Sequence, residues 1–115
     1  MLRSGDIVRV DFGFPRGSKP GFERPAVVVT SDDVMEHRPR TMHVVALTTN
    51  TQRRLPTGVP IDDVDGLPYT SVAQCHLLQV ISVEDLVDGD NAIGHVGPMA
   101  LAQIRSIIGD LLEIG

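Results

Sequence analysis

Residues 21–30, GFERPAVVVT, set an arginine directly before a proline and then run into a continuous β-branched stretch. Branched side chains pack well on a pleated surface, so PAVVVT (residues 25–30) predicts a short buried strand. What precedes it decides the architecture. Residues 13–23, GFPRGSKPGFE, hold three glycines and two prolines, a loop composition, with Arg16 and Lys19 near the middle. Before the loop, DIVRVDF (residues 6–12) reads as another strand. Arg24 is then a fixed cation at the mouth of a buried strand.

Working outward, SDDVMEHR (residues 31–38) begins with Ser and Asp suited to capping and predicts a helical turn before Pro39. MHVVALTT (42–49) reads as a central strand, GVPI (58–61) and TSVAQCHLLQVI (70–81) as further strands, and AIGHVG (92–97) as a last one. Turn signals at this spacing predict a small, strongly bent antiparallel sheet or barrel, not βαβ units. From Pro98 onward the pattern changes. Leu101, Ile104, Ile108 and Leu111 recur at steps of three and four, with Ile107 and Leu112 widening the stripe, so a C-terminal helix packs on the sheet. That apolar face serves either to seal the barrel end or to meet a second subunit. The fold class is mainly β with a C-terminal helix (α+β), and the 115 residues form one domain, 1–115.

Composition narrows the function. No apolar run approaches the roughly 18 residues of a membrane span. The N-terminus, MLRSGDIVRV, lacks the features of a secretory leader, and the expectation is a chain mature from Met1 and cytoplasmic. A single cysteine, Cys75, rules out an internal disulfide and reads as a small core residue. The net charge of −5 is unevenly laid out: residues 1–54 carry nine of the ten Lys and Arg against six acids, and residues 55–115 carry only Arg105 against nine. The first half is therefore suited to a polyanion.

The chemistry emerges by elimination. There is no P-loop, no GxGxxG, no HExxH and no His, Cys and carboxylate cluster at ligand spacing; no metal or cofactor is expected. Asp62, Asp63 and Asp65 lie close in sequence but lack the later glutamate of a calcium loop, and read as an acidic turn. His37, His43, His76 and His95 are scattered. What remains is Arg24 where a loop enters a strand, and Thr48, Thr49 and Thr51 where another strand runs out. If the two strands are neighbours, Arg24 and Thr48 converge on one rim. A guanidinium offers planar paired donors and a hydroxyl adds another, a set that suits phosphate.

Taken in order, SGDIVRVDFG, the Gly-rich loop, RPAVVVTSD, VVALTTNT, TSVAQCHLLQVI and IGHVGPMALAQI resemble the MazF/PemK (Kid) toxins of bacterial toxin–antitoxin pairs over essentially the whole chain. The resemblance implies a small SH3-like barrel of the MazF/Kid/CcdB type, with a terminal helix and a two-fold homodimer. It implies a metal-independent endoribonuclease acting on single-stranded RNA at short sequences, with the RNA's own 2′-OH as nucleophile. The products are a 2′,3′-cyclic phosphate and a 5′-OH. Arg24 in the Arg-Pro motif and Thr48 in the strand-end motif are the implied catalytic positions.

The same resemblance implies a MazE-like antitoxin whose disordered acidic segment covers the RNA groove. The competing reading is a non-catalytic CcdB-like poison of DNA gyrase, which is expected to act through its terminal helix; LLEIG at the end of this chain does not resemble a CcdB tail. The expected RNA contacts are Arg16, Ser18 and Lys19 in the loop, Thr49, Arg53 and Arg54 after the strand, and Gln74 and His76 in the long strand, His76 as a base or base-reading group. Lys19 stands in the part of the loop where many members carry a glutamate, and Glu23 is the candidate to replace it. With three Phe and one Tyr, aromatic stacking is expected to be sparse.

Overall fold

The computed structural model describes residues 1–49, 56–61, 67 and 69–114. Its strands are β1 (Asp6–Asp11), β2 (Glu23–Val28), β3 (Thr41–Thr48), β4 (Gly58–Ile61), β5 (Ser71–Ser82) and β6 (Gly94–His95). They form one antiparallel sheet in the order β4-β5-β3-β2-β1-β6. Side chains alternate across a strand, and here both sets are apolar because both faces are covered. On one face Ile7, Val27, Val45, Leu47, Ala73 and Cys75 form a core. On the other, Val8, Val10, Ala26, Val28, Met42, Val44 and Ile81 form a second.

The first core is closed by α2 (Pro98–Leu111), whose Ile104 is fully buried. Pro98 stands in the helix's first turn, where its missing N–H leaves nothing unsatisfied. Leu101, Ile107 and Ile108 pack beside Ile104, as the spacing predicts. Leu111 and Leu112 do not; at 45% and 55% exposure they stand free of the core.

The second core is closed by curvature. β3 pairs with β5 through Val45↔Leu78, and then the register jumps to Leu47↔Ala73, so residues 74–77 of β5 stand against Ala46 alone. A bulge of this kind bends and twists the strand that carries it. After β5, a 3₁₀ turn (Val83–Asp85) brings Leu86 back to bridge Val10 of β1. The result is a curled sheet, a half-barrel with a C-terminal helix, as the sequence predicts. The short α1 (Asp32–Met35) is capped by Ser31, whose hydroxyl accepts the Val34 N–H at 3.4 Å. β2 begins at Glu23, two residues before the expected start, since Glu23 and Arg24 pair with Asp11 and Val10. Among the described residues no helix is long and apolar enough to cross a membrane.

Candidate functional site

Arg24 is the second residue of β2 and is half-buried. Its Nε donates to the Gly21 carbonyl at 3.1 Å, which fixes the root of the guanidinium. Gly21 is buried, and a Cβ there would come within 2.5 Å of the Pro15 ring, so only glycine lets the loop fold back to offer that carbonyl. Among the described residues, Arg24 makes no ion pair and its two terminal nitrogens make no hydrogen bond. A positive charge is thus oriented by the fold and left available to an anion.

Thr48 ends β3, the strand next to β2. The β2–β3 ladder runs Val28↔Val44, Val27↔Val45 and Ala26↔Ala46. The pairing ends there, and Arg24 and Thr48 each lie two residues beyond its last pair, on neighbouring strands at the same end of the ladder. Arg24 shares its face with Ala26 and Val28, and Thr48 with Val44, so both belong to the side of the second core. On β5, beyond Thr48↔Val72, Gln74 and His76 alternate with Ala73 and Cys75 of the first core and therefore lie on that same side. Three successive strands supply one rim.

The loop between β1 and β2 supplies its wall. Arg16 and Lys19 line an open cavity of about 550 Å³ with Phe12, Phe14, Pro20, His76 and residues 77–80 of β5. His76 lies in the irregular stretch of β5 that faces this loop across the cavity. Neither Arg16 nor Lys19 makes an ion pair among the described residues, so the cavity keeps a positive edge. His76 Nδ1 lies 3.0 Å from the Thr57 hydroxyl. When Nδ1 carries the proton and donates to Thr57, Nε2 is left as an acceptor, the form a base requires. Among the described residues, no group of three or more His, Cys, Asp or Glu side chains is placed to hold a metal ion.

A half-barrel with a C-terminal helix also has known counterparts. Residues 3–112 match the PemK-like, MazF-like toxins of type II toxin–antitoxin systems. The chain belongs to that family. It is 33% identical over 109 residues to the endoribonuclease MazF9 of Mycobacterium tuberculosis, covering 90% of each chain. The crystal structure of MazF from Deinococcus radiodurans superposes with a TM-score of 0.81 at 19% identity, covering 98% of this chain and 97% of that one. An endoribonuclease in complex with its cognate antitoxin, from a mycobacterial species, superposes with a TM-score of 0.77 at 22% identity over 100% and 98%.

Within this MazF-like chain the expected contacts divide. Arg24, Thr48, Gln74 and His76 fall on one side of the sheet, and Arg16 and Lys19 reach His76 across the cavity. Ser18 is exposed in the same loop. Thr49 lines a different cavity, with Arg9, Pro25 and Tyr69. Glu23 is exposed and, one residue before Arg24, points to the opposite side of β2. Thr51, Arg53, Arg54 and the acidic turn at Asp62, Asp63 and Asp65 lie outside the described residues. Two contributors were missed in the sequence. Thr57 shows no motif, and only the pairing of β4 with β5, Gly58↔Gln74, brings it beside His76. Gly21 looked like ordinary loop glycine, and its carbonyl's role needs the tertiary fold.

Proposed function

We propose that this chain is the toxin of a type II toxin–antitoxin pair and acts as an endoribonuclease on single-stranded RNA without a metal ion. The single observation that supports this reading is Arg24, its guanidinium pinned by Gly21, at the same end of the β2–β3 ladder as Thr48. The 2′-oxygen of one nucleotide attacks the adjacent phosphorus, the bond from phosphorus to the 5′-oxygen breaks, and the products are a 2′,3′-cyclic phosphate and a 5′-OH. The phosphate gains negative charge on its equatorial oxygens on the way. Arg24 faces that charge with fixed donors, the kind of preorganisation that enters the barrier directly, and the Thr48 hydroxyl orients the same phosphate. A threonine hydroxyl holds its proton too tightly to be the base. His76, its ring held at Nδ1 by the Thr57 hydroxyl, takes the 2′-proton, and the departing 5′-oxygen is reprotonated from solvent or from the imidazolium.

The protein works as a homodimer, with the exposed apolar end of α2 (Leu111, Leu112) available to a second copy, and it is silenced by an antitoxin that covers the RNA groove. The similar endoribonuclease solved in complex with its cognate antitoxin supports a partner of that kind. A gyrase-binding poison is not favoured, since the relatives are endoribonucleases. The test is incubation of the purified protein with a mixed-sequence RNA in EDTA, beside Arg24→Ala and Thr48→Ala, with ends mapped by primer extension. Site-selective cuts lost in both variants are expected. Absence of cleavage by folded, antitoxin-free protein would refute the reading.

A further inference from the structure

We propose that Phe14 and Phe22 form a stacking platform for one unpaired base of the RNA, placed beside the cations that hold its phosphates; this rests on the ribonuclease reading above. The chain has three phenylalanines, Phe12, Phe14 and Phe22, and all of them fall in the one loop between β1 and β2. Two are kept out of the core: Phe14 is 87% exposed and Phe22 is 59% exposed. Their rings meet edge to face, centroids 5.9 Å apart and planes at 69°, so each steadies the other while the outer faces stay open.

The backbone shows that this presentation is imposed. Phe22 has φ of 59°, a left-handed conformation that glycine adopts freely and a phenylalanine does not. It is held there by two hydrogen bonds at the base of the loop: Phe22 N–H to the Gly13 carbonyl at 2.6 Å, and Phe12 N–H to the Phe22 carbonyl at 2.9 Å. A phenylalanine kept in a disfavoured conformation with most of its surface in solvent is a candidate functional position, since backbone preference does not call for it.

The surroundings select the occupant. Phe14 lines the cavity of about 550 Å³ together with Arg16, Lys19 and His76. An apolar peptide would leave those cations without partners. A flat base on an anionic backbone matches both the ring and the charges, and single-stranded RNA is commonly held by aromatic faces beside basic side chains. The platform would thus grip a base flanking the cut and give the loop a part in choosing the site.

The experiment is equilibrium binding, by fluorescence anisotropy, of an RNA carrying the mapped cleavage sequence with a 2′-O-methyl group at the attacking position, so that it binds and is not cut. Single abasic positions are introduced along it. Phe14→Ala is expected to weaken binding roughly 5- to 100-fold, and Phe14→Tyr to restore it. One abasic position should weaken binding to the wild type and have no further effect on Phe14→Ala. Phe22→Gly should hold or raise Tm, since it relieves the backbone, while still losing affinity. If Phe14→Ala and Phe22→Gly bind like wild type and no abasic position couples to Phe14, the platform is wrong while the ribonuclease reading stands. If wild type binds no RNA, both fall.

Discussion

At the scale of single residues, the site depends on orientation more than on charge. Arg24 is pinned through Nε, a donor that lysine lacks, and lysine has no planar fork for a phosphate. Arg24→Lys is therefore expected to lower kcat by about 10²-fold or more with Tm unchanged, measured by initial rates on a fixed RNA. Activity near wild type would mean that only charge matters there. Cys75 shows the opposite case, a reactive group that the fold silences. Burial raises its thiol from 9.0 to about 11, so below pH 9 it is neutral both folded and unfolded and adds no pH dependence. Between pH 9 and about 11 the unfolded chain loses this proton and the folded chain keeps it, so Cys75 makes stability fall as pH rises through that window. Iodoacetamide at pH 8 should leave Cys75 unmodified in the native protein and label it in urea, as read by mass spectrometry.

At the scale of elements, the strands and the helix follow from periodicity, and the sequence shows nearly all of them. The stripe Leu101, Ile104, Ile108 predicts the helix face that packs, and Ile104 at its centre is fully buried. Ile104→Ala is expected to destabilise the fold by about 2–5 kcal/mol, seen as a lower urea midpoint with an unchanged m-value. A loss below about 1 kcal/mol would show that α2 is not anchored through this residue. The stripe alone does not tell where packing stops. Leu111 and Leu112 continue the pattern yet lie exposed, because what a helix face meets is a long-range fact. The bulge in β5 escaped for the same reason. TSVAQCHLLQVI reads as one strand, and nothing local says that residues 74–77 face Ala46 alone. His76 lies within that irregular stretch, so part of the site was hidden with it.

At the scale of the whole molecule, the net charge of −5 conceals a basic half, and the fold gathers Arg16 and Lys19 of that half at one cavity. Each phosphate contact to single-stranded RNA contributes about 0.7 to the slope of log affinity against log salt. The double variant Arg16→Ala, Lys19→Ala should thus reduce that slope by roughly 1.4, measured with uncleavable RNA between low and moderate salt. An unchanged slope would remove both residues from the interface. By itself, the sequence determined the element order, the mainly β class with its C-terminal helix, and the candidates Arg24 and Thr48, since periodicity, loop composition and strand ends are local properties of the chain. Only the tertiary structure decided that β2 and β3 are neighbours with those two at the same end of their ladder, that Gly21 orients the arginine, and that Thr57 meets His76. Strand register and loop closure are settled by how distant side chains fill two cores at once, and no window of neighbouring residues contains that information.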